Sequence, residues 1–424
     1  MPTNRSALAL GVALALTLAA CGNGDDGGPG DEANGDGQEQ SLSVWIMEPG
    51  SDEVENVLEQ TVADFEEENE GVTVDLQLVP WANAHDQFVT AVGGGQVPDV
   101  AEMGTTWTPE FAELGALAQI EGGEGDYIDS LVESGTVDGE AYGYPWYAGA
   151  RALIYRSDVF EELDLEAPTS WDEVVEAGET IEAETDYDPI NVAGDFNHKI
   201  MPMVWQFGGQ LAVEDNGSWT AQVDSEEGRA AFETYIDLFE RGWSPQGAIN
   251  WTSVDIREAF ANEDSAMMIG GGWDLAAAIG ENPDLEGNVA TTLKPQGPGG
   301  SQDAFAGGSH LVAFEESDNH DLAVEFIEFA LEEERVTEFA ESVGFLPGTV
   351  SGVEASEASG DELYDTFATQ LLDHSRSYPS AGAWGAIEGD QTFTNAIQQV
   401  MQGDLTVEEA TEQVDQQMND AFDG

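Results

Sequence analysis

The chain alternates apolar runs of strand length with segments whose apolar positions recur every three to four residues. "SLSVWIM" at 41–47 reads as a short strand. The following "SDEVENVLEQTVADFEEEN" sets Val54, Val57, Leu58, Val62 and Phe65 on one helical face, with Ser51 or Asp52 in place to cap it. "GVTVDLQLVP" alternates with the two-residue period of a strand and stops at Pro80. "WANAHDQFVTAVGGG" is a helix ended by glycines, and "VPDVAEMG" another strand. This β-α-β-α-β order predicts a parallel sheet with helices on both faces. Ligands of such sheets sit off the carboxyl ends of the strands, here Met47 to Gly50, Pro80-Trp81 and Gly104 to Trp107.

A second α/β series follows. "SWDEVVEAGETIEAE" carries a capping pattern, Ser170 with Glu173 three residues on. "REAFANEDSAMMIGGGWDLAAAI" reads helix, strand, glycine-rich turn, helix. "NVATTLKP" and "AFAGGSHLVAF" return to strands, and "DLAVEFIEFALEEERVTEFAESVG" has the period of one long amphipathic helix. "FTNAIQQVMQG" and "TVEEATEQVDQQMNDAF" are closing helices. Between the two series, "YGYPWYAGARALIYRSD" at 142–158 crowds aromatics against Gly, Ala and a lone Arg. A core there would use branched aliphatics and a loop would use polar residues. Aromatics beside small residues suit a crossing point where two halves meet over a ligand.

Length and charge narrow the picture. A chain of 424 residues exceeds one compact core and implies two or more lobes. Acidic residues number 86 against 10 basic ones, a formal charge of −76, and the only lysines are Lys199 and Lys294. Such a surface repels nucleic acid and anionic headgroups. It fits a saline habitat, where charge repulsion is screened, and leaves a cationic ligand open.

The amino terminus carries its own message. Arg5 precedes the apolar run "ALALGVALALTLAA", too short to span a membrane and suited to a signal-peptide core. It ends in Leu18-Ala19-Ala20-Cys21 followed by Gly22, which resembles a bacterial lipoprotein signal. The resemblance implies removal of residues 1–20, lipidation of Cys21 and an anchor on the extracytoplasmic face of the cell membrane. With no second cysteine, disulfides are excluded. Residues 21–40 are rich in Gly and Asp and read as a disordered acidic tether, with a reach of roughly 25 Å.

From about Leu42 onward the order of segments resembles the extracellular solute-binding proteins (family 1) of bacterial ABC transporters, in the sugar-binding, maltose/trehalose-type branch. Its landmarks are "LSVW", "VPW" at 79–81, "GGGQVPDV" at 93–100, "DGEAYGYPWY" at 138–147, "LIYRSDVFEELDLEAPTSWDEV" at 153–174, "SAMMIGGGWDLAAA" at 265–278, "GGSHLVAF" at 307–314 and "VGFLPG" at 343–348. The resemblance implies a two-lobed, hinged, periplasmic-binding-protein-like (type II) α/β fold with discontinuous lobes. Lobe one would hold 42–148 with 294–345, and lobe two 152–290 with 350–424. A sugar, a di- or oligosaccharide, would bind in the cleft and be delivered to a membrane permease by a monomer.

The family's site then maps onto Glu53 after the first strand, Trp81, and Thr105, Thr106 and Trp107 at strand ends of lobe one. Tyr147 and Arg151 lie on the first crossing, Trp273 on lobe two, and Gly308 and Ser309 on the return strand. Trp205 stands between site and core, Arg376 and Trp384 match late contacts, and Phe196 to His198 align poorly with another contact segment. Sugar rings offer apolar faces to aromatic rings and hydroxyls to carboxylates, amides and Arg. Trp45, Trp171, Trp219 and Trp243 read as packing. One departure stands out: many relatives carry a carboxylate where this chain has Gly149. Either Arg151 takes over its contact, or Gly149 leaves room for a larger sugar.

No cofactor, metal or catalytic motif is expected. His85, His198, His310, His320 and His374 lack metal spacing, and neither G-x-S-x-G nor a phosphate loop occurs. Two further readings stay open: the same fold holding a polyamine, peptide or metal chelate, and an exported glycoside hydrolase working through paired carboxylates.

Overall fold

A computed structural model describes residues 40–48, 52–120, 125–357 and 362–423, without the side chains of Asp52, Glu53, Ala82, Glu357 and Glu362. The signal run, Cys21, the tether and the Ser51 cap lie outside the described residues. So does the side chain of Glu53, which belongs to the helix Asp52–Glu68.

The alternating apolar positions build two main sheets, beside three two-stranded ribbons, among the described residues. The larger has six strands, in the order Leu346–Pro347, Tyr144–Gly149, Gly307–Ala313, Val100–Gly104, Gln40–Met47 and Val72–Val79. The three strands earliest in the chain run parallel, with Val44 opposite both Leu76 and Val100. Gly307–Ala313 then enters antiparallel, between Val100–Gly104 and Tyr144–Gly149. Strand pleating sends Leu42, Val44 and Ile46 toward Val54, Leu58 and Phe65 of the helix Asp52–Glu68. Phe65 in turn meets the edges of Phe326 and Phe329, with ring centroids 5.0 and 5.3 Å away. The other face of the sheet packs Met47 and Met103 on Phe88 and Phe111. The helix Trp81–Gly94 ends as its glycines require: Gly95 takes φ 61° and closes the last turn.

The smaller sheet has the order Val289–Thr292, Ala152–Arg156, Ser265–Gly270, Asp188–Ile190. Leu153 and Ile269 point into one core with Ile190 and Trp243, while Ile154 and Met268 point into another with Phe260 and Leu275. The chain crosses between the sheets three times. Ala150 and Arg151 link Tyr144–Gly149 to Ala152–Arg156, a return runs from Thr292 to Gly307, and a last passage follows Pro347.

Two details depart from the pattern read in the sequence. The long apolar period after residue 320 is two helices, His320–Ala330 and Glu333–Ser342, broken where Glu332 turns extended (φ −55°, ψ 134°). The break lets Arg335 fold back: its guanidinium lies 3.8 Å over the Phe329 ring and pairs with Asp64 at 2.8 Å. At Ser170 the cap is only half of the expected box. The Glu173 amide donates to Ser170 Oγ, but the Glu173 carboxylate accepts from Thr169, one residue earlier.

Candidate ligand-binding site

The strand ends converge as their topology dictates. Pro80 stops one strand and places Trp81 on the first turn of the next helix, 43% exposed. Gly104 ends another strand in a tight turn, closed by the Trp107 amide donating to the Gly104 carbonyl at 2.9 Å. Trp81 and Trp107 meet over this turn. His85, one helical turn after Trp81, sets its ring edge against Trp107 and bonds Glu110 at 2.8 Å. That carboxylate raises the imidazole's pKa. Opposite, Thr105 is pinned by its amide to the Gly308 carbonyl at 3.1 Å.

These groups wall a cavity of about 470 Å³ on one side. Asn197, His198, Phe305, Gly385, Glu388 and Gly389 complete it on the other. His198 stacks on Phe305 and Tyr378 at 5.3 and 5.7 Å and shares a 2.9 Å hydrogen bond with the Tyr378 hydroxyl. Burial, with Arg151 nearby, pushes this imidazole down to about 3, so it is neutral at pH 7. Glu388, near the end of the helix Trp384–Gly389, faces Thr106 across the cavity, and desolvation lifts its carboxyl to about 7. The two walls also touch outside the cavity. The Gly382 amide donates to Glu113 at 2.8 Å, and Ser380 Oγ donates to the Glu133 carbonyl at 3.0 Å. Gly385 lies so close to Glu110 that a methyl group there would come within 1.9 Å of its Oε2.

Beneath this floor lies a buried polar knot. Glu102, on the strand Val100–Gly104, accepts the Tyr147 hydroxyl at 2.5 Å, the Ser309 hydroxyl at 2.7 Å and the Met47 amide at 2.8 Å. Burial holds its carboxyl above the usual range despite the three donors.

Residues 49–336 match the family described as bacterial extracellular solute-binding protein. The chain belongs to that family. Membership places it on the extracytoplasmic side, and its relatives are binding proteins of transporters. Among the described residues no helix is long and apolar enough to cross a membrane. The diacetylchitobiose binding protein DasA of Streptomyces coelicolor is 28% identical over 413 residues, 92% of each chain. The sugar-binding protein MalE of Xanthomonas citri is 26% identical with a TM-score of 0.78, covering 91% of this chain and 98% of its own. An ABC transporter solute-binding protein of Thermotoga lettingae, solved with alpha-D-tagatose, is 28% identical with a TM-score of 0.77, covering 90% and 100%. The two-lobed fold of these periplasmic sugar-binding structures is the fold described above.

In this solute-binding protein the sequence-derived residues divide. Trp81, Thr105, Thr106, Trp107 and Gly308 stand together on the cavity. Tyr147 and Ser309 do not: they face Glu102 inside the larger sheet, where a buried carboxylate needs donors. Trp205 and Trp384 pack behind the cavity wall, each against the outer side of Tyr378 at 5.6 and 5.2 Å. Arg376 lies over Trp205 and donates to Gln210.

Trp273 stacks on Phe345 at 4.4 Å, and Arg151 sits 5.0 Å from both the Trp273 and Phe196 rings. Gly149 opens no space for a larger sugar, because a Cβ there would lie 2.5 Å from the Trp273 ring. His85, Asp86, Phe305, Glu388 and Gly389 line the cavity without having been singled out. For Phe305 the signal was present, two residues ahead of the glycine pair in "AFAGGSH".

Proposed function

We propose that this protein is the substrate-binding lipoprotein of an ABC importer that captures a di- or oligosaccharide between its lobes and hands it to a membrane permease. The observation that carries this reading is the cavity of about 470 Å³ whose walls come from the strand ends of the larger sheet on one side and from the helices Asn197–Gln206 and Trp384–Gly389 with Phe305 on the other, and which presents two indoles, Phe305 and polar groups. Its size falls in the usual range of ligand pockets, about 300–1,000 Å³. Trp81 and Trp107 take the apolar faces of sugar rings, while Thr106, Asn197 and Glu388 accept or donate at the hydroxyls. DasA is named for diacetylchitobiose and the Thermotoga neighbour holds a sugar, which supports the ligand class.

The mechanism is hinge closure without bond chemistry. Lobe one comprises 42–148 with 294–345, and lobe two 152–290 with 350–424. A ligand touching both favours the closed form by its differential affinity for that form, and the permease reads the closed shape. Residues 1–20 are removed, Cys21 carries the lipid, and 21–40 tether a monomeric body to the extracytoplasmic face of the membrane.

Calorimetry and X-ray scattering with a panel of neutral di- and oligosaccharides test the reading. At least one sugar should bind at micromolar or tighter Kd, shrink the radius of gyration and leave the solution free of released reducing ends. A panel that moves neither scattering nor melting temperature would refute the sugar assignment. Cys21→Ala should move the protein from the membrane fraction to the medium.

A further inference from the structure

The charges around the cavity do not balance. Asp86, on the helix that begins with Trp81, lines one side, and Glu388 lines the other. Among the described residues that line the cavity none is Lys or Arg. The two histidines do not answer the deficit. His85 is engaged with Glu110 at 2.8 Å, and His198 is spent on the Tyr378 hydroxyl. Most of the chain's arginines are committed elsewhere: Arg156, Arg229, Arg241, Arg257 and Arg335 all hold carboxylates away from the cavity.

Glu388 is set into a wall beside the Thr106 hydroxyl and Trp384, and the nearest imidazole, His85, is already paired with Glu110, so the carboxylate is a poor partner for a wholly neutral guest. In its ionised form it is a desolvated negative charge that hydroxyls offset only in part, and a guest's ammonium would favour that form. Aromatic faces supply the second half of the pattern. Trp81 and Trp107 present indoles to the same space, and indole faces attract ammonium groups as well as sugar C–H faces.

We infer that the preferred guest is a saccharide bearing a protonated amine, with Glu388 as its counter-ion and Trp81 and Trp107 holding its rings. This rests on the sugar reading above and narrows it to amino sugars with the amine free. An N-acyl group removes the charge and so forfeits the pairing with Glu388.

The test is titration calorimetry of the full chain at pH 7 in 1 M NaCl, which suppresses general attraction to the acidic surface. The probes are the β-1,4-linked disaccharide of glucosamine, its N,N'-diacetyl form, cellobiose and putrescine. The free-amine disaccharide should bind at least about ten-fold tighter than the diacetyl form and cellobiose. E388Q should bring the three within about two-fold of one another, while E338Q, on a helix remote from the cavity, should leave the preference intact. If cellobiose or the diacetyl form binds as tightly as the amine in the wild-type protein, the inference is wrong while the sugar reading survives. The wild-type comparison decides this even should E388Q fold poorly. An amine preference that persists in a well-folded E388Q also overturns it. If no saccharide binds, or putrescine matches the disaccharide, the sugar reading itself falls and takes this one with it.

Discussion

The indoles of Trp81 and Trp107 lie 5.5 Å apart, tilted by 57°, although they are 26 positions apart in the chain and the strand Gln40–Met47 separates the strands that lead to them. Their meeting follows from parallel strands ending on one edge of a sheet. Because Trp81 is 43% exposed, it contributes little to the core. Trp81→Ala and Trp107→Ala should each weaken sugar binding by about 10- to 100-fold, as loss of a buried aromatic anchor does. W81A should leave the melting temperature of the free protein within about 2 °C. Calorimetry beside a thermal melt separates the two effects.

Among the described residues Glu102 has three donors and no cation beside it. Glu102→Ala strands the Tyr147 hydroxyl and the Met47 amide, so denaturant unfolding should show a loss of about 2–5 kcal/mol. Glu102→Gln keeps an acceptor and should lose less than half of that. Because its folded-state carboxyl is raised, the native state binds the proton more tightly than the unfolded chain. Its share of stability is therefore greatest in acid and declines as pH rises above the ordinary glutamate range.

Lys294 behaves in the opposite direction. Its ammonium is fully buried and has no hydrogen-bond partner among the described residues, and burial lowers it to about 7, with Arg151 and Lys199 adding repulsion that Asp303 offsets in part. Between pH 7 and the free lysine value of about 10.4, the unfolded chain holds more protons than the native one. Stability should therefore climb through that window. Lys294→Met removes the buried charge, so it should raise stability at pH 7 by about 2 kcal/mol and flatten the alkaline slope. Urea midpoints at pH 7 and 10 for both proteins decide this.

Gly385 is a close-approach position between the lobes. Gly385→Ala should push Glu110 off His85, prop the walls apart and weaken ligand affinity about 10-fold. Thermal stability of the ligand-free form should hardly change. Scattering should report a larger radius of gyration at saturating sugar than in the wild type.

A formal charge of −76 repels itself, and salt shortens that repulsion from about 10 Å at 0.1 M to about 3 Å at 1 M. The melting temperature should rise by about 5 °C or more over that range of NaCl. A flat or falling curve in calorimetry would remove the case for a saline habitat.

How much of this was legible beforehand depends on what each residue's signal competes with. The three parallel strands were readable because Pro80, Gly94 and Gly95 punctuate clean periods. Trp81 and Trp107 were readable because topology assigns strand ends to ligands. Glu388 was not, since one carboxylate among 86 acidic residues carries no mark until the fold sets it in a wall. Trp384 and Trp205 misled because an aromatic on a helix can face the cavity or its backing, and only the packing of Tyr378 decides which. The break at Glu332 was hidden because the apolar period runs unbroken across it, while the reason for it, Asp64, lies on a distant helix.

The triple crossing has a consequence for how the polypeptide is made. Emerging amino end first, the nascent chain cannot complete its larger sheet until Gly307–Ala313 has slotted between two earlier strands and Leu346–Pro347 has closed the edge. Contacts this distant in sequence form slowly. Closure of the larger sheet therefore waits until about four-fifths of the polypeptide, through Pro347, has been made.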